Sequence, residues 1–235
     1  MLIPVNKLPS LFKPYPFKSF KMKAINAEQA IDLGPNPSLK DISTLIQTLV
    51  DGEIDASLLV PIDLKYLVAM LAFHAYPKQS WTLNLTCPDC GFVHQKTVTI
   101  KDFPPVPSLD EKDPYPLTID DSIHKYELGY APVSAFETLK VGESANIDIV
   151  AAHVLSIDGS KENIREKLLA IEDFGVLGLM YKAILKYFQV ETYSEFKCPK
   201  CGNVYKVPMS AVEVTQYTPF LDEKTPSKYK INFRI

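Results

Sequence analysis

An α+β fold is predicted by three features of the sequence. The phrase C-P-x-C-G is written twice, at 87–91 and 198–202, and each copy sits between two short alternating segments: "WTLNLT" and "HQKTVTI", then "YSEFK" and "VYKVP". Apolar stripes at helical spacing precede the first copy, and a mixture of strand and helix patterns fills the stretch between the copies. A period of two marks strands and a period near 3.6 marks helices. Together they predict a helical N-terminal part, one half of a ribbon, an inserted α+β lobe, and the second half of the ribbon.

With 235 residues and 46% hydrophobic content, the chain buries a substantial core. No apolar run approaches the ~20 residues that span a bilayer. The opening "MLIPVNKLPSLFK" lacks a basic segment followed by an apolar one, so an intracellular protein without membrane attachment is expected. Lys and Arg total 25 against 28 Asp and Glu, and neither sign gathers into a block, which argues against a phosphate-backbone binder. Nineteen prolines against nine glycines predict stiff, extended connections, concentrated at 3–17 and 103–116.

Taken in order, residues 1–37 are expected as an extended Pro-rich arm. A single domain is expected over 38–220, with helices in 38–76, the ribbon at 80–103 plus 193–212, and the lobe at 117–190 packed on the ribbon. Ser38 and Asp41 form a capping-box pair ahead of a stripe of Leu39, Ile42, Leu45, Ile46 and Leu49, with Gly52 as the stop. A second helix from Asp63 to Tyr76, ended by Pro77, is apolar nearly all round and should lie centrally. The lobe opens with a strand "KYELGYAP" and a helix "VSAFETLK". A helical stripe of Ile147, Val150, Ala151, Val154 and Leu155 runs to a turn at Asp158-Gly159, and a short helix "ENIREKLLAI" follows. The last helix carries Leu177, Met180, Ile184 and Phe188. Residues 221–235 end in "KYKINFRI", which alternates perfectly and suits either strand addition to another protein's sheet edge or pairing with this chain's own ribbon.

Cys87, Cys90, Cys198 and Cys201 are the only cysteines. Strand, C-P-x-C-G turn, strand is the shape of a knuckle in which two thiolates converge on one ion. The proline sets the turn, and the glycine accepts the positive φ that turns backbone N–H groups toward sulfur. Structural zinc takes four ligands, so two knuckles complete one shell. A thioredoxin-like redox pair is the competing reading, but such a pair opens a helix and nothing helical follows either copy. A disulfide framework fits neither the size of the chain nor its lack of a secretory signal. A filled thiolate shell leaves no position for water, so the expected zinc is structural and the protein is not expected to be an enzyme.

Other chemistry is sparse. His74 and His153 fall on apolar helices and read as partly buried, satisfied imidazoles; His124 lies in a strand region; His94 is an alternative ligand that four thiolates make unnecessary. The pairs Asp120–Asp121 and Glu172–Asp173 read as helix or turn caps. No G-x-S-x-G, H-E-x-x-H, phosphate-cradling glycine loop or dinucleotide fingerprint occurs.

The order of parts carries a resemblance. It runs through "FKSFKMKAINAEQA", "LLVPIDLKYLVAMLAFHAY", "WTLNLTCPDCGFVHQKTVTIKDF", a strand-plus-helix insert, "FGVLGLMYKAILKYF" and a second "CPKCG". In this order the chain resembles the T-even-type baseplate hub assembly proteins of contractile phages over roughly residues 15–220. The resemblance implies a non-enzymatic role in tail building, as a chaperone of hub components or as a resident baseplate subunit. It implies other baseplate and hub proteins as partners, and a place in the virion's tail baseplate or in the host cytoplasm during assembly. Extended arms suit a resident subunit, because they bury area on several neighbours, here through the N-terminal arm and the C-terminal tail. A zinc-ribbon nucleic-acid-binding factor is the alternative, since ribbons present basic and aromatic side chains. Asp89 between the first two cysteines and Lys200 between the second two make the ribbon tip mixed in charge.

Overall fold

The computed structural model describes residues 2–26, 29, 38–52, 54–75, 80–102, 112–137, 145–188 and 193–208. Residues 103–111 of the expected connection at 103–116 and the tail at 221–235 lie outside the described residues, as does Pro77.

The chain begins with a hairpin. Strand β1 (Leu2–Val5) pairs antiparallel with β2 (Phe20–Lys23), in the register Leu2 to Lys23 and Val5 to Phe20. Alternation puts Ile3, Val5, Phe20 and Met22 inside. Between the strands the chain packs an aromatic cluster, with Tyr15 stacked on Phe17 at 5.0 Å and Phe12 edge-on to Phe20 at 6.4 Å. Residues 2–23 are therefore part of the core, where the prolines had suggested an extended arm. Pro4 lies on β1, an edge strand, and Pro9, Pro14 and Pro16 lie in the connecting loop, where a missing N–H interrupts no ladder.

Helix α1 (Leu39–Leu49) starts at the expected capping box: the Ser38 side chain accepts from the Asp41 N–H, and the Asp41 carboxylate accepts from the Ser38 N–H. Its buried face is Ile42, Leu45, Ile46 and Leu49. The helix does not run on to Gly52. It passes at Val50 into β3 (Val50–Asp51), which pairs with β2, and Gly52 follows at φ 121°. After a short 3-10 turn at Ala56–Leu58, helix α2 (Pro61–Ala75) begins with proline in its first turn, where the absent N–H is not needed. Leu64, Leu67 and Leu71 are buried along one side and Val68, Ala69 and Met70 along others, so α2 is central as expected. The first knuckle hairpin follows, β4 (Trp81–Thr86) against β5 (Val93–Val98).

Among the described residues the lobe has a three-stranded antiparallel sheet and four helices. Strands β6 (Leu117–Asp120), β7 (Lys125–Leu128) and β8 (Val154–Ile157) lie in the order β6-β7-β8. Helices α3 (Val133–Glu137), α4 (Ala145–His153), α5 (Ile164–Leu169) and α6 (Phe174–Tyr187) accompany them. The expected helical stripe from Ile147 to Leu155 is not a single helix: α4 stops at His153, and Val154 and Leu155 enter β8. The local pattern fits both periods, and β7 decides between them by offering a ladder to a segment that contains β-branched Val154 and Ile157. The Gly129 N–H donates to the His153 carbonyl at 2.8 Å and fixes the switch point.

Tyr126, Leu128, Val150, Val154, Leu168, Met180 and Ile184 form the lobe core, which also takes in Val60 and Ile62. Val133 N–H donates to the Leu59 carbonyl at 2.8 Å. The lobe thus seats on the segment that leads into α2, where packing on the ribbon had been expected. The second knuckle hairpin, β9 (Tyr193–Lys197) with β10 (Val204–Pro208), returns the chain to the first core. Phe196, Tyr205 and Val207 from this hairpin, and Leu83, Leu85 and Val98 from the other, share one apolar cluster with β1, β2, α1 and α2. Among the described residues no helix is long and apolar enough to cross a membrane.

Candidate metal centre

Both C-P-x-C-G phrases fold alike. In the first, Cys87 N–H donates to the Phe92 carbonyl at 3.0 Å and Gly91 N–H to the Cys87 carbonyl at 3.0 Å; in the second, Cys198 N–H donates to Asn203 at 2.8 Å and Gly202 N–H to Cys198 at 2.9 Å. Gly91 and Gly202 hold φ of 66° and 79°, the left-handed region that a Cβ disfavours. These turns aim both cysteines of each knuckle the same way. As expected, each pair leads directly into a strand and not a helix, β5 after the first and β10 after the second.

The four expected ligands converge. Cys87 Sγ lies 3.7 Å from Cys201 Sγ, Cys90 Sγ lies 3.7 Å from Cys198 Sγ, and all four atoms lie within 4.8 Å of one another. The close pairs run between knuckles. At 3.7 Å they are far outside the ~2.05 Å of a disulfide bond, and all four cysteines are free. Such a cluster is able to hold one metal ion. Cys87 and Cys198 are buried, Cys90 half-buried and Cys201 exposed.

The electrostatics point the same way. Burial by itself raises the Cys198 pKa, but the backbone N–H groups of Cys201 and Lys200 directed at its sulfur bring it down to about 6. At Cys201 the Asn203 N–H acts to lower the pKa, yet burial and the crowding of the other three sulfurs push it up to about 12. One site thus favours a thiolate while its neighbour resists a second one. A cation at the centre removes that conflict, because it lets all four sulfurs carry charge at once.

Around the sulfurs, His94 on β5 meets Tyr205 on β10, with Nε2 and Oη 2.9 Å apart. His94 is not among the clustered ligand atoms; its ring stacks on Phe92 and its nitrogen links the two hairpins. Lys200 Nζ stands 5.8 Å from the centre of the same Phe92 ring. The Tyr205 hydroxyl is pushed up by burial and by the nearby sulfurs. Nothing in the sequence marked Tyr205 as a partner of His94.

The remaining titratable groups sort into structural roles. Asp121 accepts from the N–H groups of Ile123 and His124 at 2.9 and 2.7 Å, and Asp173 caps α6 through Gly175, so each of these two carboxylates, one from either expected pair, is a turn or helix cap. His124 sits in the turn before β7, where it meets Asp158 at 2.7 Å. The His153 ring is buried against Phe188, with Nδ1 donating to the Gly129 carbonyl at 2.8 Å. His153 Nε2 and His74 Nδ1 have no hydrogen-bond partner among the described residues, so neither imidazole is fully satisfied, contrary to expectation.

The sequence also gave no warning of Asp63, which is 0% exposed in the first turn of α2. It accepts from the Ser10 N–H at 2.9 Å and from the Tyr15 hydroxyl at 2.7 Å, while Tyr15 accepts from the Val60 N–H at 2.9 Å. Burial raises its carboxyl to about 6 despite these bonds. This network pins the N-terminal hairpin loop to the central helix.

No protein-family model, curated protein or solved structure matches this chain.

Proposed function

We propose that the chain is a non-enzymatic component or assembly factor of a contractile phage tail baseplate, stapled by one structural zinc and binding other baseplate or hub proteins. The observation that carries the zinc is the sulfur spacing. Zinc bound to thiolates at about 2.3 Å in a regular tetrahedron has ligand edges of about 3.8 Å; two of the four inter-knuckle separations are 3.7 Å, and all four sulfurs lie within 4.8 Å of one another. Cys87, Cys90, Cys198 and Cys201 fill its shell and leave no place for water, so the metal supplies folding free energy and joins two hairpins into a ribbon. The baseplate assignment rests on the order of parts from the N-terminal strand segment to the second knuckle. It places the protein in the tail, or in the host cytoplasm while tails are built.

A nucleic-acid role is the second reading. It needs an open aromatic platform and clustered cations. The aromatic ring at the knuckle tip, Phe92, is engaged by His94 and Lys200 of the same molecule, and the exposed apolar neighbours Val93 and Val204 suit a protein surface better than a phosphate backbone. Two measurements test the reading. Elemental analysis of purified protein should return one zinc per chain, and mass spectrometry of tails assembled in the presence of the protein should find it bound to hub proteins at high salt. Metal-free folded protein, or binding to nucleic acid that weakens steeply with salt, would overturn it.

A further inference from the structure

Helix α6 turns one face to the lobe core and another to solvent. Val176, Met180 and Ile184 are buried. On the other side Phe174, Leu179 and Leu185 are 80%, 57% and 46% exposed, with Gly178 and Lys182 exposed between them. At about 100° per residue these outward positions share one continuous arc. Scattered surface leucines need no explanation, but three large apolar side chains on one arc mark a contact surface.

The two glycines of the helix differ in what requires them. A Cβ at Gly175 would come within 2.9 Å of Asp173 Oδ1, the carboxylate that caps the helix, so the cap accounts for Gly175. A Cβ at Gly178 would meet nothing within 4 Å among the described residues. Glycine weakens a helix relative to alanine, and the single chain gains nothing from it here. A second helix laid across that point does gain, since the distance between packed helices is set by the side chains at their crossing.

Charge identifies the occupant. Glu172 and Asp173 are exposed at the amino end of α6, and Lys182 is exposed one turn beyond Gly178, as Phe174 is one turn before it. A second copy of α6 running antiparallel, related by a two-fold axis at Gly178, brings each Lys182 to the other copy's Phe174 ring and acidic amino end. The opposed helix dipoles add to the attraction. A parallel copy would set like charge against like. We propose that the chain self-associates as a two-fold dimer through the outer face of α6, with Gly178 at the crossing. The proposal does not depend on the metal or on the baseplate role.

Sedimentation velocity on the full chain, from low micromolar to several hundred micromolar, tests it. The parent should pass from monomer to dimer. Gly178→Leu should stay monomeric while melting no lower than the parent, and Phe174→Ser should lose the dimer independently. Lys182→Glu and Glu172→Lys should each weaken association about fivefold, in a salt-dependent way, and an equimolar mixture of the two should recover it as a heterodimer. A parent that stays monomeric throughout, or a folded Gly178→Leu and Phe174→Ser that dimerise like the parent, overturns the proposal.

Discussion

His94 Nε2 and Tyr205 Oη stand 2.9 Å apart although 111 residues separate them in the chain. This contact ties β5 to β10 beside the sulfurs, so the hairpins are joined by a hydrogen bond as well as by the cysteines. Removing it separates the two contributions. Tyr205→Phe should retain full metal content and lose about 1 kcal/mol in urea unfolding. Loss of metal in that variant would mean that the hydroxyl helps to position the ligands.

The two cysteine-bearing hairpins and the lobe belong to different apolar clusters, so loss of one sulfur should not soften the molecule evenly. Cys198→Ser, at a buried ligand, should abolish stoichiometric metal binding and destabilise the first core by several kcal/mol, less than the ~10 kcal/mol of a domain that has only its metal. Hydrogen exchange should show protection falling in 2–23, 38–52, 64–75, 81–98 and 193–208 and persisting in 117–137 and 145–188. Uniform loss, or an unchanged melting temperature with metal retained, would contradict the four-thiolate staple.

Asp63 predicts a pH response of unusual sign. Its carboxyl lies at about 6 in the folded chain against an ordinary 3.8, so between those values the folded state holds a proton that the unfolded state has released. Stability from this group is therefore highest below the lower value and falls as pH rises through the window, with the loss complete above about 6. Asp41 and Asp158, both exposed, and half-buried Asp121 are shifted downward, chiefly by hydrogen bonds, and act in the opposite sense. The comparison to make is stability against pH for the parent and Asp63→Asn. The difference between the two curves should drift in favour of the variant as pH rises from 4 to 7, and a flat difference would refute the assignment.

Gly129 tests the switch point between α4 and β8. A Cβ there would come to 2.6 Å from Leu155 Cδ1 and 2.8 Å from Tyr115 Oη, and that hydroxyl accepts from the Tyr130 N–H at 3.2 Å. Gly129→Ala should destabilise the lobe by about 1–3 kcal/mol and leave metal content unchanged. Thermal unfolding followed together with metal release would separate the two effects.

What could be read ahead of the structure was what local pattern specifies. The knuckles were legible because C-P-x-C-G prescribes a turn by itself, and α1 because Ser38, Asp41 and its stripe all lie within one short window. The N-terminal hairpin was missed although Ile3 and Val5, then Phe20 and Met22, alternate as strands do; the prolines around them drew the reading toward an extended arm. Val154 fits a helix and a strand equally well in isolation, and only the arrival of β7 chooses. The partners of Asp63 lie 53 and 48 residues away, so no local rule could have found them. The same holds for the hydroxyl that meets His94.

The lobe leaves the polypeptide after β5 and rejoins it at β9, on two hairpins whose sulfurs nearly touch. Lengthening a loop whose ends are already fixed costs little, about 0.6 kcal/mol for each doubling. Descendants of this chain are thus free to trade that excursion for a larger or smaller one without rethreading anything else, provided that something still shields Val60 and Ile62 from water.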